Sequence, residues 1–445
     1  MDTWKTIYQE KKRSLAESVS LVKSGHRVGV SPSASFPLEM INALSARDDL
    51  EGVRLDSGLL LFPPDFLRPD QSGRIDYHAF FMGPLERMAL KAGLLEPASI
   101  HFSQLHEAFP EGSLDAAILE VSSPDAFGYM GLGPVGVLCG RSMIRAAQKV
   151  IVQVNSKVPR LYGSQARIHI SEVDALSEVE RPLFGVPASM PGDTDASIAR
   201  MIAERIPNGA TLQLGIGELA GAIGNYLDGH RDLGIHSEML TPSIIRLFEK
   251  GVITGEKKTL HPREMVVGFC IASQKDYEFL DDNPAVAFHP VSYVNNPDII
   301  GAHKNFVSVN NALSMDLTGQ VSSESVGYRQ FSGTGGQLDF VRGAGRSDGG
   351  MSFIAMHSTL DTGKGRVSRI RTSLEPGTAI TTPRSDVHYV VTEYGIADLK
   401  NKSIPERVTA LIGIAHPDFR ESLAKEAVDV GLIRPAFLRR MNEAA

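Results

Sequence analysis

Apolar positions along the chain follow two patterns that predict different elements. Short β-branched runs, "RVGV" (27–30), "AAILEV" (116–121) and "KVIVQV" (149–154), predict buried strands. Longer stretches such as "MPGDTDASIARMIAERI" (190–206) place apolar residues at helical spacing. Alternation of the two patterns is typical of an α/β fold with largely parallel sheets.

A stretch rich in proline and glycine, "ERPLFGVPASMPGDTD" (180–195), interrupts this alternation, which then begins afresh. The 445 residues also exceed what one hydrophobic core usually organises. We therefore expect two domains, residues 1–186 and residues 187–445.

Composition and charge exclude several classes of protein. With 42% hydrophobic and 22% charged residues, the chain resembles an ordinary globular protein. No apolar run approaches the roughly 18 residues of a membrane span, and the first residues are charged rather than signal-like, so we expect a cytoplasmic protein. A net charge of −7 argues against a nucleic-acid partner. Cys139 and Cys270 fit neither a disulfide framework nor a metal motif and are predicted to be buried thiols.

Two short catalytic patterns are set aside. "GRSDG" (345–349) has the letters of a nucleophile elbow, but a glycine-rich loop is expected before it and the strand-like "MSFIAM" follows it. "HSE" (236–238) resembles the His-x-Glu of zinc deaminases, yet the chain lacks their Pro-Cys-x-x-Cys. We therefore predict that no metal is bound.

The glycine turn in "TLQLGIGELAGAIGNYLD" (211–228) has two interpretations. The segment predicts a strand, a Gly215-x-Gly217-x-x-Ala220 turn and a helix, and Glu238 follows about 20 residues on. This is the pattern of a dinucleotide site, either in an NAD-dependent oxidoreductase or in a nucleotide-binding regulator without catalysis.

In the second interpretation, N–H groups of this turn and of a second glycine turn, "SGTGGQ" (332–337), form an oxyanion hole. Glu238 is then a nucleophile, which needs no general base because a carboxylate is already ionised at neutral pH. The residues alone leave both interpretations open.

Longer motifs carry a resemblance to a known family. The chain is similar to the acetyl-CoA hydrolase/transferase family, which contains 4-hydroxybutyrate, butyrate and succinate CoA-transferases. The segments that resemble it are "LQLGIGELAGAIGNYL", "DLGIHSEML", "VNNALSMDLTGQVSSESVG", "SGTGGQLDFVRGA", "VHYVVTEYGIADLKNKSIPERVTALIGIAHPDFRESL", "VSSPDAFGYMGLG" and "QVNSKVPRLYG".

The resemblance implies two related open α/β domains of the CoA-transferase type, with the active site in the cleft between them, and a homodimer. The expected reaction moves CoA from an acyl-CoA to a small carboxylic acid by a ping-pong mechanism. Coenzyme A is then a substrate, and no cofactor is permanently bound. An acyl-CoA thioesterase that uses the same glutamate is the alternative.

The resemblance also implies roles for individual residues. Glu238 attacks the thioester, and Ile216, Gly217 and Gly336 supply the oxyanion donors. The residues expected to contact CoA are Gly215, Ile216, Gly217, Glu218, Leu219, Gly333, Gly335, Gly336 and Met356.

Two segments depart from the family pattern. "SPSASFP" (31–37) places Ser35, Phe36 and Pro37 where a Gly-Glu-Pro triplet is usual, and "MLTPSI" follows the expected nucleophile. Since the first loop is expected to reach the acyl group, Ser35 and Phe36 are predicted to line the acyl pocket. Loss of a carboxylate there favours a dicarboxylate or a small to medium acid as the acceptor.

Overall fold

The computed structural model describes residues 3–68, 71, 73–185, 191–215, 217–363 and 365–435. The strands are, in chain order, β1 (Arg27–Val30), β2 (Val53–Ser57), β3 (Ile75–Ala79), β4 (Leu95–Pro97), β5 (Leu114–Val121), β6 (Tyr129–Gly131), β7 (Ala147–Asn155), β8 (Arg167–His169), β9 (Ala175–Val179), β10 (Thr211–Leu214), β11 (Gly234–Leu240), β12 (Met265–Cys270), β13 (Val286–Phe288), β14 (Phe306–Asn311), β15 (Ser314–Asp316), β16 (Val321–Ser322), β17 (Ser325–Val326), β18 (Arg329–Gln330), β19 (Met351–Ala355), β20 (Thr359–Thr362), β21 (Gly365–Ser368), β22 (Ile370–Arg371), β23 (Tyr389–Thr392) and β24 (Gly395–Asp398).

The helices are, in the same order, α1 (Thr3–Lys11), α2 (Leu15–Val19), α3 (Leu38–Ser45), α4 (Pro84–Lys91), α5 (Gly133–Gly136), α6 (Gly140–Ala146), α7 (Asp193–Ala203), α8 (Glu218–Asn225), α9 (Pro242–Glu249), α10 (Gln274–Leu280), α11 (Val291–Val294), α12 (Pro297–Gly301), α13 (Gln337–Arg346), α14 (Ile404–Ile414) and α15 (Pro417–Asp429).

The first large sheet has seven parallel strands in the order β4-β3-β2-β1-β5-β7-β9. Strands β1, β5 and β7 confirm the three apolar runs predicted as strands. They are mostly apolar because both faces of a parallel sheet are covered. The strand order reverses between β1 and β5, and in open α/β sheets ligands bind at the carboxyl end of such a reversal.

The second large sheet has eight strands in the order β13-β12-β11-β10-β14-β19-β23-β24. Strand β10 is parallel to both of its neighbours, as are β14 and β19 to theirs. Strand β24 returns antiparallel to β23 and ends the sheet. The mixed α/β architecture with parallel sheets is therefore as predicted.

The structure divides into two compact units, each with most of its residue contacts within itself. The first unit contains residues 1–188, 237–245 and 264–295, and the second contains 189–236, 246–263 and 296–445. Each has its own hydrophobic core, which includes Val30, Met40 and Ile118 in the first and Met315, Ile354 and Leu411 in the second. The predicted boundary between residues 186 and 187 lies outside the described residues and stays a prediction.

Helix α13 corrects one expectation, since its glycine-rich sequence was predicted to be a loop. The helix forms because Leu338 and Val341 are buried at helical spacing. Gly343 allows a close approach between helices, since a Cβ there would overlap the Ile300 side chain of α12. The glycine is thus a packing residue within a helix rather than a sign of a loop.

Other expectations agree with the structure. Ser403 and Glu406 form a capping box at the start of α14, as the Ser-x-x-Glu spacing in "SIPE" (403–406) predicts. Cys139 and Cys270 are buried free thiols. Within the described residues, every helix is too short or too polar to cross a bilayer.

Candidate active site

Glu238 lies on strand β11, where it is the one half-buried residue among six buried ones. A carboxylate at such a position needs a partner, because burial without one is costly. Asn295 provides it: its Nδ2 donates a hydrogen bond to Glu238 Oε2 at 2.5 Å. The carboxylate is therefore held through one oxygen by a buried amide.

Gly268 on the neighbouring strand β12 lies close to the backbone of Glu238. A Cβ at Gly268 would lie 3.0 Å from the Glu238 carbonyl oxygen and 3.3 Å from Val291 Cγ1. A side chain there would therefore push the backbone of Glu238 or helix α11 by a few tenths of an ångström. Gly268 is thus in close contact both with the backbone of Glu238 and with helix α11, which ends at Asn295.

His236, two residues before Glu238, is buried and faces another histidine. The distance between His236 Nδ1 and His303 Nε2 is 3.4 Å. Burial lowers the pKa of His303 to about 3, so that imidazole is neutral at neutral pH. This buried pair belongs to the second unit, and no cluster of three or more His, Cys, Asp or Glu in the described part of the chain could hold a metal ion.

The first glycine turn joins β10 to α8, as the sequence predicted. Gly217 has φ +117° and caps the helix, a conformation that favours glycine. Gly215 lies close to β14, since a Cβ there would be 3.1 Å from the Val309 carbonyl oxygen. Its N–H donates to that same oxygen at 2.9 Å, so it serves the sheet rather than an anion. Leu219 is buried, whereas Ile216 and the side chain of Glu218 lie outside the described residues.

The second glycine turn leads into α13. Gly335 has φ +63°, whereas Gly336, the N-cap of the helix, has φ −101°. The left-handed position in this turn is therefore Gly335. Gly333 lies in the same turn and is buried.

Glu324 organises this second turn and was not singled out from the sequence. Its backbone carbonyl accepts from Phe331 N at 2.7 Å and from Ser332 N at 3.0 Å. Its carboxylate accepts from Thr334 Oγ1 at 3.1 Å and Thr381 Oγ1 at 3.0 Å. An acid inside the polar run "VSSES" (321–325) is the sequence signal for this role, and its burial is seen only in the structure.

Met356 follows strand β19 and is 2% exposed. Its side chain belongs to the hydrophobic core of the second unit, and its N–H donates to the Val391 carbonyl oxygen at 3.0 Å. A contact with CoA stays a prediction for this residue.

Ser35 and Phe36 lie in the loop after β1, at the strand-order reversal of the first sheet. The Ser35 hydroxyl accepts hydrogen bonds from the N–H groups of Val135 and Gly136, both at 3.1 Å. Phe36 is 3% exposed and packs in the core of the first unit. Ser35 thus has a structural role in holding the loop, and an acyl pocket at these residues stays a prediction.

A buried charge network supports this loop. Arg181 donates to the Phe36 carbonyl oxygen at 2.9 Å and pairs with Glu120 at 2.8 Å and Glu39 at 3.1 Å. Gln153 Nε2 links the two acids, at 2.8 Å from Glu39 and 3.1 Å from Glu120. Burial raises the pKa of Glu120 to about 7, although Arg181 opposes the shift.

This raised pKa predicts a pH dependence of stability. Below pH 4.5, the ordinary pKa of a glutamate, Glu120 is protonated in both the folded and the unfolded chain. As the pH rises from there through about 7, the unfolded chain loses this proton first, and the free energy of unfolding falls. The loss is about 3 kcal/mol. We expect the melting temperature of wild type relative to Glu120→Gln to fall between about pH 5 and about pH 8, measured by scanning fluorimetry. Parallel curves would show that Glu120 does not titrate in this range.

The comparisons with known proteins agree with the longer motifs. A 4-hydroxybutyrate coenzyme A transferase of Clostridium kluyveri is 40% identical over 426 residues, 95% of this chain and 98% of that protein. The chain belongs to the acetyl-CoA hydrolase/transferase family. The family's N-terminal domain profile matches residues 1–185, and its C-terminal domain profile matches residues 273–427.

Two further proteins match over nearly the whole chain. A butyryl-CoA:acetate CoA-transferase of Anaerostipes caccae is 37% identical over 96% of this chain and 97% of that protein. The crystal structure of RipA from Yersinia pestis has a TM-score of 0.90 at 37% identity and covers 97% of this chain and 100% of that chain. The chain is accordingly an enzyme of the CoA-transferase class, and its predicted fold class is confirmed.

Proposed function

We propose that the enzyme transfers CoA from an acyl-CoA to a carboxylic acid through a glutamyl-CoA thioester on Glu238. The observation that carries this proposal is the half-buried Glu238 carboxylate, bound through Oε2 to Asn295. In the proposal the other carboxylate oxygen, Oε1, attacks the carbonyl carbon of the thioester. Glu238 lies on strand β11, within the segment that resembles the family's nucleophile motif.

The proposed reaction has two half-reactions. Glu238 Oε1 attacks the thioester carbonyl, the carbon–sulfur bond breaks, and CoA leaves as a thiolate from an acyl-glutamyl anhydride. The thiolate then attacks the Glu238 carbonyl carbon and expels the donor acid as a carboxylate, which leaves a glutamyl-CoA thioester. An acceptor carboxylate repeats these steps in reverse and leaves as its CoA thioester.

The glycine turns have the complementary role in this proposal. Negative charge develops on the thioester oxygen in each attack, and backbone N–H groups at a helix start stabilise it. Gly217 and Gly336 each cap a helix, which supports their predicted use with Ile216 as oxyanion donors. The family assignment favours this interpretation of the Gly215 turn over a dinucleotide site.

The test is the covalent intermediate itself. Incubation with butyryl-CoA and no acceptor should give an intact mass increased by bound CoA, and peptide mapping should place the adduct on the peptide that contains Glu238. A wild-type enzyme that turns over without any adduct would contradict the proposal. Acceptor-independent release of CoA at the rate of transfer would instead identify a thioesterase.

For the acceptor, we propose a small to medium carboxylic acid, dicarboxylates included. The two curated relatives are named for 4-hydroxybutyrate in one case and for butyryl-CoA and acetate in the other. Phe36, in the loop that departs from the family pattern, is the proposed determinant.

Phe36→Leu should change the ranking of acceptors. Removing the ring enlarges the proposed pocket, so the ratio of kcat/KM for hexanoate over acetate should rise about tenfold. The control is Phe353→Leu, a buried ring that stacks on Tyr389 in the second unit. If both variants keep the wild-type ranking, Phe36 does not line the acyl pocket.

A further inference from the structure

A surface cleft in the first unit has no role in the proposed reaction. Its volume is about 180 Å³, and it is lined by residues of two segments that resemble the family, "VSSPDAFGYMGLG" (121–133) and "QVNSKVPRLYG" (153–163). Its charged and phenolic lining residues are Asp125, Tyr129, Arg160, Tyr162, Arg167 and Asp282. All of them belong to the first unit, and none is proposed to act on the thioester or to contact CoA.

The walls of this cleft are held by close backbone packing. Gly128 lies in the turn before β6, and a Cβ on this glycine would lie 2.9 Å from Trp4 Cβ in helix α1. Gly163 follows Tyr162, and a Cβ there would overlap the carbonyl oxygen of Phe288 in β13. The Phe288 N–H also donates to the Tyr162 carbonyl oxygen at 2.8 Å. Binding to such a cleft orders little additional chain, which favours affinity.

Three hydrogen-bond donors in the cleft have no hydrogen-bond or ion-pair partner within the part of the chain that the structure describes. They are the guanidinium groups of Arg160 and Arg167 and the hydroxyl of Tyr129. Arg160 engages its backbone instead, since its N–H donates to Asp281 Oδ1 at 2.8 Å. A guanidinium group carries planar pairs of N–H donors that match the oxygens of a carboxylate or a phosphate. The cleft therefore offers the kind of donor that oxyanions bind.

The two acids that line the cleft are already engaged. Asp125 Oδ1 accepts from two backbone N–H groups of its own turn, at 2.8 and 3.0 Å. Asp282 Oδ1 accepts from the Tyr162 hydroxyl at 3.0 Å, and this bond raises the pKa of that phenol. Arg167 opposes the shift in pKa, so its charge acts on the same phenol. The acids are thus bonded within the walls, whereas the donors are open to a ligand.

We infer that the cleft binds a small oxyanion, phosphate or a short dicarboxylate, between Arg160 and Arg167, with the Tyr129 hydroxyl as a further donor. An ionised oxyanion accepts hydrogen bonds, which matches donors that are open and acids that are engaged. The volume is below the roughly 300–1,000 Å³ of pockets for drug-sized ligands, so it suits an anion of a few atoms. The inference does not depend on the covalent role of Glu238, because it uses none of the same residues.

The experiment titrates inorganic phosphate, and separately succinate, into the whole protein by isothermal calorimetry. The tighter of the two identifies the ligand as a phosphate or a carboxylate. Arg160→Gln and Arg167→Gln should each weaken its binding about tenfold, because a charge-assisted hydrogen bond is lost. Arg160→Lys keeps the charge without the planar donors, so its affinity should lie between those of the wild type and Arg160→Gln.

Two further variants separate recognition in the cleft from a general effect of charge. Arg13→Gln removes an exposed cation of the same unit outside the cleft and should leave the affinity unchanged. Asp282→Asn keeps an oxygen that accepts from Tyr162, and asparagine tolerates the φ of +54° at this position. Since it removes a charge that repels the anion, it should tighten binding about threefold.

The outcomes are distinct. No binding of either anion to the wild type, or wild-type affinity in both Arg160→Gln and Arg167→Gln, would overturn the inference. An equal loss in Arg13→Gln would overturn it as well, because the effect would then follow the net charge of the protein. Weaker binding in the two cleft arginine variants, with tighter binding in Asp282→Asn, supports the site.

Discussion

Glu238→Gln should reduce turnover with butyryl-CoA and acetate by roughly 10⁴-fold or more, because removal of a nucleophile costs several orders of magnitude. Glutamine keeps the shape of the side chain, and its oxygen can still accept from Asn295 Nδ2. The melting temperature and the affinity for CoA should therefore change little. Steady-state kinetics, with the intact mass after incubation with butyryl-CoA, measures both the loss and the absent adduct.

Glu238→Ala should give the same kinetic result, and Glu249→Gln is the control. Glu249 is an exposed acid at the end of α9, so its neutralisation should leave activity unchanged. A Glu238 variant that retains more than about a hundredth of wild-type activity would contradict the covalent role.

The fold was largely predictable because its strands have simple patterns. The runs in β1, β5 and β7 are mostly apolar, as is typical of strands covered on both faces. Helix α13 was not predicted, since two internal glycines concealed its helical spacing. The reason for Gly343 is Ile300, which lies on another helix and has no local signature in the sequence.

The candidate site was predictable only in part, for a related reason. Glu238 and the glycine turns lie within short motifs, whereas the groups that position them come from distant segments. Asn295 is 57 positions from Glu238, and Thr381 is 57 positions from Glu324. Strand alternation and glycine spacing report local conformation and carry no information on such pairs.

The second large effect is expected at Gly335. Its φ of +63° lies in the left-handed region, and a β-branched side chain there costs roughly 1–2 kcal/mol. Gly335→Val should therefore displace the turn that Glu324 holds through Thr334. A displacement of about 1 Å at a catalytic group can lower the rate roughly 100-fold. We expect a loss of about that size in kcat, with a smaller change in the affinity for CoA.

Gly251→Val separates catalysis from backbone strain. Gly251 has φ +74° and belongs to the same unit, and a Cβ there would meet nothing within 4 Å. A valine at positive φ destabilises both variants, so their melting temperatures should fall alike. Only Gly335→Val should show a lower kcat. Equal kinetic effects in the two folded variants would mean that the second turn is architectural. A loss confined to Gly335→Val would show that the position of the second turn matters for catalysis, because strain alone is common to both.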